Sequence, residues 1–459
     1  MDSAASAEPR TILDKRRAGA LLHLTSLPSG GLGDAERFLE WLKSAGFSVW
    51  QMLPLGPSGS NNSPYSPISA FAGDPALMAP GSAKEQVSTS QLRTYREREQ
   101  AWLEDYALFC VIRKQHDDRP WWLWPEALRK RHKPALKTFA FDHAEEIEHC
   151  MAQQFLFDRA WEAFRNVARQ KDILLFGDMP MFVIADSADV WSRPHLFHLD
   201  AAGHPNRVAG APPDAFTELG QCWNNPVYNW EALRREGFDW WLQRLEHECK
   251  RFDLLRWDHF RGLVAGWEIP VNAEQTAVAA NGTWQEVPGR ELLTNLWQKA
   301  GPLPIVAENL GVITSEVENL RHDFNLPGMH VLQFAFDGSE NNPHLPECHE
   351  VNAVVYTGTH DNDTTLGWFE SLDEQTAKTV LEIVGQSRII MPDAMIQAAL
   401  DSPCKLAVIP MQDLLGLDSS ARMNIPGQAL GQWSWRFSWQ QATSELAIKW
   451  RQSVVKVGR

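Results

Sequence analysis

The order of apolar segments in this 459-residue chain predicts a (β/α)8 barrel with insertions. Three observations carry that reading. Eight short, β-branched apolar runs recur along the chain, as strands buried on both faces require. Helical patterns separate several of them, the signature of parallel βαβ units. The spacing is uneven, and the longest stretches follow the second and third runs, where a barrel places its active-site loops.

Taken in order, the candidate strands are 19–24, 48–53, 173–178, 254–259, 304–309, 329–334, 353–358 and 406–411. Between the third and fourth, the segment 238–252 sets Phe238, Trp241, Leu242, Leu245, Cys249 and Phe252 on one helical face. Residues 75–170 hold Trp- and Glu-rich helical patterns and predict a helical insertion subdomain. Residues 184–237, rich in Pro, Asn and Gly, predict a loop insertion covering the active-site face. The tail from 430 carries one more helical pattern, 437–456, and the whole chain reads as a single catalytic barrel.

Bulk composition narrows the partners. A formal net charge of −15 without a basic cluster disfavours nucleic acid and anionic membrane. No stretch reaches the roughly 18 apolar residues of a membrane span, and the first twenty residues lack a signal-like apolar core. The six cysteines (Cys110, Cys150, Cys222, Cys249, Cys348 and Cys404) lie far apart without metal or disulfide spacing. They read as reduced thiols of a cytoplasmic protein. The chain has 21 Trp against 5 Tyr. Trp faces stack on sugar rings, but packing explains most Trp equally well.

Three of the predicted strand ends carry carboxylates. Strand four ends LLRWDHFRG with Arg256, Asp258 and His259; strand five ends VAENLG with Glu308; strand seven ends YTGTHDNDTT with His360, Asp361 and Asp363. Glycoside cleavage needs one carboxylic acid to protonate the leaving oxygen and a second carboxylate to attack the anomeric carbon or direct a water. Arg256 and Asp258 point to the same side of a strand, so a fixed cation favours a charged Asp258. Apolar neighbours (Ile305, Val306, Leu310) and a nearby like charge favour a protonated Glu308. Each residue alone has a plainer reading: Asp258 with Arg256 as a structural ion pair, Glu308 as a helix-capping acid, His259 and His360 as bonded structural histidines. THDND lacks the spacing of a calcium loop, CHE (348–350) and EHEC (246–249) lack a second zinc pair, and GPSGSNNS (56–63) lacks the Lys-Ser/Thr of a phosphate loop.

Longer motifs decide among these readings. HLTSLPSGGLGD (23–34), SPYSPISAFAGDP (63–75), LFGDMPMFVIADSADVW (175–191), VAGAPPDAFTELGQCWNNPVYNW (208–230), LLRWDHFRG (254–262), WEIP (267–270), VAENLGVIT (306–314), PGMHVLQFAF (327–336), YTGTHDNDTTLGW (356–368) and ARMNIPG (421–427) run nearly end to end. With them the chain resembles the 4-α-glucanotransferases known as amylomaltases or disproportionating enzymes, a branch of the α-amylase clan. The resemblance implies a retaining double displacement that moves maltooligosaccharide segments to the 4-OH of an acceptor glucan or glucose. It implies Asp258 as nucleophile, Glu308 as acid then base, and Asp361 as a third carboxylate holding sugar hydroxyls. Arg256, His360, Tyr65 and Asp178 would serve that same sugar, and Trp223, in the loop 208–223, would cover the acceptor side. No metal or organic cofactor is implied. Partners are the glucan donor and acceptor.

Four positions depart from the family pattern. Trp257 replaces an aliphatic residue, Asn309 an Asp, Ala215 an aromatic residue, and His330 a different basic side chain. The departures bear on packing behind the nucleophile, on hydrogen bonding around Glu308 and on water exclusion by the 208–223 loop. Two other functions fit the same residues: hydrolysis, with water as acceptor, and a non-catalytic glucan-binding barrel.

Overall fold

The computed structural model describes residues 13–59, 62–213, 219–272, 274–384, 390–428 and 431–459. Twelve strands form among them. They are β1 (Arg17–Leu21), β2 (Val49–Gln51), β3 (Leu174–Met179), β4 (Arg207–Ala211), β5 (Gln221–Pro226), β6 (Leu254–Trp257), β7 (Ala265–Pro270), β8 (Thr283–Glu286), β9 (Ile305–Ala307), β10 (Gly328–Val331), β11 (Ala353–Tyr356) and β12 (Leu406–Pro410). Eight of these pair in parallel in the order β10-β11-β12-β1-β2-β3-β6-β9, and each falls within or against one of the predicted runs. The fold is a TIM barrel.

Alternation along the strands builds two apolar layers. Leu21, Val49, Phe176, Leu254, Val306, Val331, Val354 and Leu406 fill the barrel. Ala20, Trp50, Leu175, Leu255, Trp257, Ala307, Val355 and Ala407 face the surrounding helices. Gly177, between Phe176 and Asp178, has no room for a side chain: a Cβ there would lie 2.2 Å from the Phe252 ring. The bare backbone lets that helix end press on β3.

The barrel closes differently at one seam. Between β9 and β10 the links are Ala307 N–H to Pro327 O at 2.8 Å and Met329 N–H to the Asn309 side-chain oxygen at 2.7 Å. The Asn309 amide also donates to Glu318 at 2.7 Å. The family's Asp at this position would have no proton to give Glu318 and would set two carboxylates together, so the Asn fits its surroundings.

Trp257 points away from the barrel axis, stacked on Trp241 at 5.2 Å and wholly buried. It packs strand against helix rather than entering the mouth. Trp50, Trp191, Trp240 and Trp241 are also fully buried, so much of the Trp excess is core packing. His330 lies in a buried group with His344 and His349: it stacks on His349 at 4.6 Å and its Nε2 accepts from Glu350 N–H at 3.2 Å.

Between β2 and β3 the chain forms the helices Thr89–Arg98, Leu103–Gln115, Glu126–Arg129, Lys133–Asp142 and Ala144–Gln170. The predicted helix 238–252 spans Asp239–Arg251. The terminal helix is shorter than its pattern, Ser444–Lys456 rather than 437–456, because Thr443 caps it by accepting from Leu446 N–H. One feature escaped the sequence reading. β4 and β5, inside the stretch expected to be loop, join β7 and β8 in a four-stranded antiparallel sheet ordered β5-β4-β7-β8. Ala215 lies outside the described residues. No helix is long and apolar enough to cross a membrane among the residues described.

Candidate active site

The C-terminal ends of four barrel strands converge on one polar cluster. Asp178 ends β3, Arg256 lies in β6 with Asp258 just beyond it, Glu308 follows β9, and His360 and Asp361 follow β11. One Arg256 nitrogen lies 2.8 Å from Asp178 Oδ1 and 2.9 Å from Asp258 Oδ1. Asp178 also accepts from the Tyr65 hydroxyl at 2.6 Å. Its side chain has no exposed surface, whereas that of Asp258 is 27% exposed. Thus Asp178 orients Arg256 and Tyr65 from behind, and Asp258 faces outward.

Glu308 is tied to the Asp258 loop through the backbone. Its carboxylate oxygens accept from His259 N–H at 2.6 Å and Leu310 N–H at 2.9 Å. His259 adopts φ 51°, a left-handed turn that His tolerates better than bulkier residues. Burial pushes the Glu308 carboxyl up to about 7, and Asp258 adds to the rise against the pull of Arg256 and the two N–H donors. The helix-capping reading fails on geometry: the next helix, Ser315–Asp323, starts at Thr314, and neither Glu308 oxygen reaches it.

Asp361 and His360 form an ion pair at 3.3 Å. Burial opposes both charges, but their mutual attraction prevails, raising the His360 pKa and holding Asp361 below the usual carboxylate range. Asn424 donates to Asp361 Oδ1 at 2.5 Å, and Arg422 to its backbone oxygen at 2.8 Å. Tyr65 stacks on His360 at 5.1 Å, with Trp433 6.0 Å from both rings. At the opposite rim Trp223, on β5, meets the His259 ring edge-on at 4.8 Å. All eight residues singled out from the sequence therefore lie on this cluster or its rim.

A buried carboxyl that holds its proton to about pH 7, a second carboxyl resting on a buried cation, and an aromatic floor are the equipment of glycosyl transfer. A family model described as 4-alpha-glucanotransferase matches residues 22–91 and 79–442. The chain belongs to the 4-alpha-glucanotransferase family. Among its relatives, the 4-alpha-glucanotransferase of Thermus thermophilus is 43% identical over 475 residues, covering 92% of this chain and 94% of the relative. That of Synechocystis is 42% identical, covering 95% and 96%. The chloroplastic/amyloplastic enzyme of Solanum tuberosum is 40% identical, covering 92% and 82%. Among solved structures, the amylomaltase from Streptococcus agalactiae in complex with acarbose superposes with a TM-score of 0.91 at 30% identity, over 97% of this chain and all of the other. The amylomaltase from Corynebacterium glutamicum, at 18% identity and TM-score 0.77, shares the fold over 97% of this chain and 76% of its own.

Other residues of this 4-alpha-glucanotransferase family member went unassigned in the sequence. Arg422 and Asn424 sit in ARMNIPG, and a paired Arg and Asn just past the last strand was the available signal. His23, at the end of β1, lines a recess beside His360 with Ser26, Thr359, Asn362 and Arg422. Burial, aided by His360, lowers its pKa to about 3, so the ring is neutral at pH 7. Among the described residues, one group has metal-ligand spacing: Glu318, His322 and Glu350. Arg321 already pairs with both carboxylates, at 2.5 and 2.9 Å, and supplies the cation there.

Proposed function

We propose that this enzyme transfers maltooligosaccharide segments between α-1,4-glucan chains by double displacement, with Asp258 and Glu308 as the reacting pair. The observation that carries the reading is the contrast between two neighbouring carboxyls. Asp258 rests on Arg256 and faces solvent, the state of a nucleophile. Glu308 holds its proton to about pH 7, the state of an acid. In the first step Asp258 attacks the anomeric carbon while Glu308 protonates the departing oxygen. In the second, an acceptor 4-OH attacks that carbon, its proton passes to Glu308, and the bond to Asp258 breaks.

The remaining residues fit supporting roles. Asp361, charged and braced by His360 and Asn424, can bind sugar hydroxyls and favour the positive transition state. Tyr65 offers a ring face beside it, and Trp223 a wall on the acceptor side. Asp178 acts through Arg256 and Tyr65 rather than on the sugar. We treat the chain as one catalytic barrel with 75–170 and 184–237 as insertions on it, acting in the cytoplasm, an address supported by six free thiols among the described residues. The reading requires no cofactor.

Incubation with maltotriose tests it. Transfer yields a ladder of longer chains and glucose with little gain in reducing ends, whereas steady gain marks a hydrolase. Asp258→Asn is expected to lose nearly all turnover yet keep maltooligosaccharide binding by calorimetry. Turnover near wild type in that variant would rule out the nucleophile.

A further inference from the structure

We propose that Arg261 is a positioning residue that seats the inserted sheet on the two reacting loops and so governs whether a sugar hydroxyl or water receives the glucosyl group. The proposal rests on the function proposed above. Arg261 lies three residues beyond Asp258, in the short turn Phe260–Leu263 that leads directly into β7. Its Nη1 donates to the backbone oxygen of Val312, four residues beyond Glu308. The loops carrying nucleophile and acid are therefore braced by His259 N–H on the Glu308 carboxylate, by Phe260 N–H on the Glu308 backbone oxygen at 3.1 Å, and again by this guanidinium.

The same side chain reaches the inserted sheet. Its guanidinium carbon sits 3.6 Å from the centroid of the Trp284 ring on β8, a cation–π contact that also positions a plane. Trp284 is held in turn by Trp267, its cross-strand partner on β7, at 5.1 Å. At the sheet's other edge Trp223 rests on His259. Both edges of the sheet thus lean on the turn 259–261. Arg261 is only 8% exposed, and none of the described carboxylates pairs with it. A buried cation with no carboxylate against it among the described residues is a costly way to fill space, and an apolar side chain would pack the same place without that cost.

The consequence falls on the second chemical step. Either an acceptor 4-OH or a water can form the new bond to the anomeric carbon, giving its proton to Glu308 as the bond to Asp258 breaks. A sugar competes through the contacts that hold it, and Trp223 stands on that side. Loosening the sheet withdraws that wall and admits water.

The test measures new reducing ends per glucose released from maltotriose, because transfer conserves reducing ends and each hydrolytic event adds one. Arg261→Ala and Trp284→Ala are expected to raise that ratio about tenfold, below the roughly 10²-fold effect that a misplacement near 1 Å can bring. Trp284→Phe, which keeps a ring under the guanidinium, should stay near wild type. Trp284 is 37% exposed, so its variants carry the test if Arg261→Ala fails to fold. An unchanged ratio in the folded alanine variants, whatever their rates, overturns the proposal. A wild-type enzyme that forms no longer chains would instead defeat the proposed function.

Discussion

At the scale of single residues, the chemistry depends on keeping one proton. Glu308 owes its raised proton affinity first to burial and then to Asp258. In the free enzyme the acid form therefore dominates below about pH 7 and is lost above it. We expect kcat/KM to fall through a limb centred near pH 7, since that ratio reports the free enzyme's groups. Glu308→Gln should abolish the limb and slow turnover on ordinary glucans by roughly 10²–10⁴-fold. A limb that persists in this variant would belong to another group. The contrast between Asp258 and Glu308 was legible in the sequence, because Arg256 sits two positions from one and apolar residues flank the other. The part played by Asp178 was not. Its pattern matches a sugar ligand, and only its complete burial between Arg256 and Tyr65 supports reading it as a group that works from behind.

Elements matter here through what fixes the loops at their ends. The segment after β11 carries His360 and Asp361, and Asp413, beyond β12, anchors it. The Asp413 carboxylate accepts from the Thr357 hydroxyl at 2.6 Å, Thr365 N–H at 2.7 Å and the Thr365 hydroxyl at 2.6 Å, all buried. Asp413→Ala leaves these donors without an acceptor. A loss of about 1–3 kcal/mol of unfolding free energy is expected, readable by urea denaturation, with a fall in kcat as Asp361 loses its placement. Asp413→Asn, which still accepts, should be milder. The barrel strands were easy to find because each is a compact apolar run. β4, β5, β7 and β8 were not, since RVAGA, QCWNNP, AGWEIP and TWQE are short, mixed and rich in Gly or polar residues. The pairing of β4 with β7 joins segments far apart in sequence, and periodicity within one segment carries no trace of it.

The whole molecule adds a pH dependence of its own. Six histidines hold pKa values lowered chiefly by desolvation: His23 to about 3, His259, His330, His344 and His349 to about 4, and His247 well below its usual value. Unfolding returns each to about 6.5. Between those values the unfolded chain binds more protons, so stability is full above about pH 6.5 and falls as the pH drops toward 4. Each such histidine contributes up to about 1.4 kcal/mol per pH unit in that window. Glu308 works in the opposite sense between its unfolded pKa and about 7, and the buried carboxyls of Asp178, Asp189 and Asp413, which burial also raises, work with it. Thermal midpoints measured from pH 7 to 4.5 should decline steadily, and His349→Gln should flatten the slope. A flat profile in the unaltered protein would mean that the raised carboxyls cancel the histidines, and His349→Gln would then make stability rise as the pH falls.

The braces on Asp361 also say something about synthesis. Asn424 and Arg422 come from the far end of the sequence, long after Asp258 and Glu308 have emerged. A nascent chain halted before residue 422 already owns both reacting carboxyls, but the third keeps only its pair with His360. Full placement of the third carboxyl would then wait until residues 422–424 are made and packed against it.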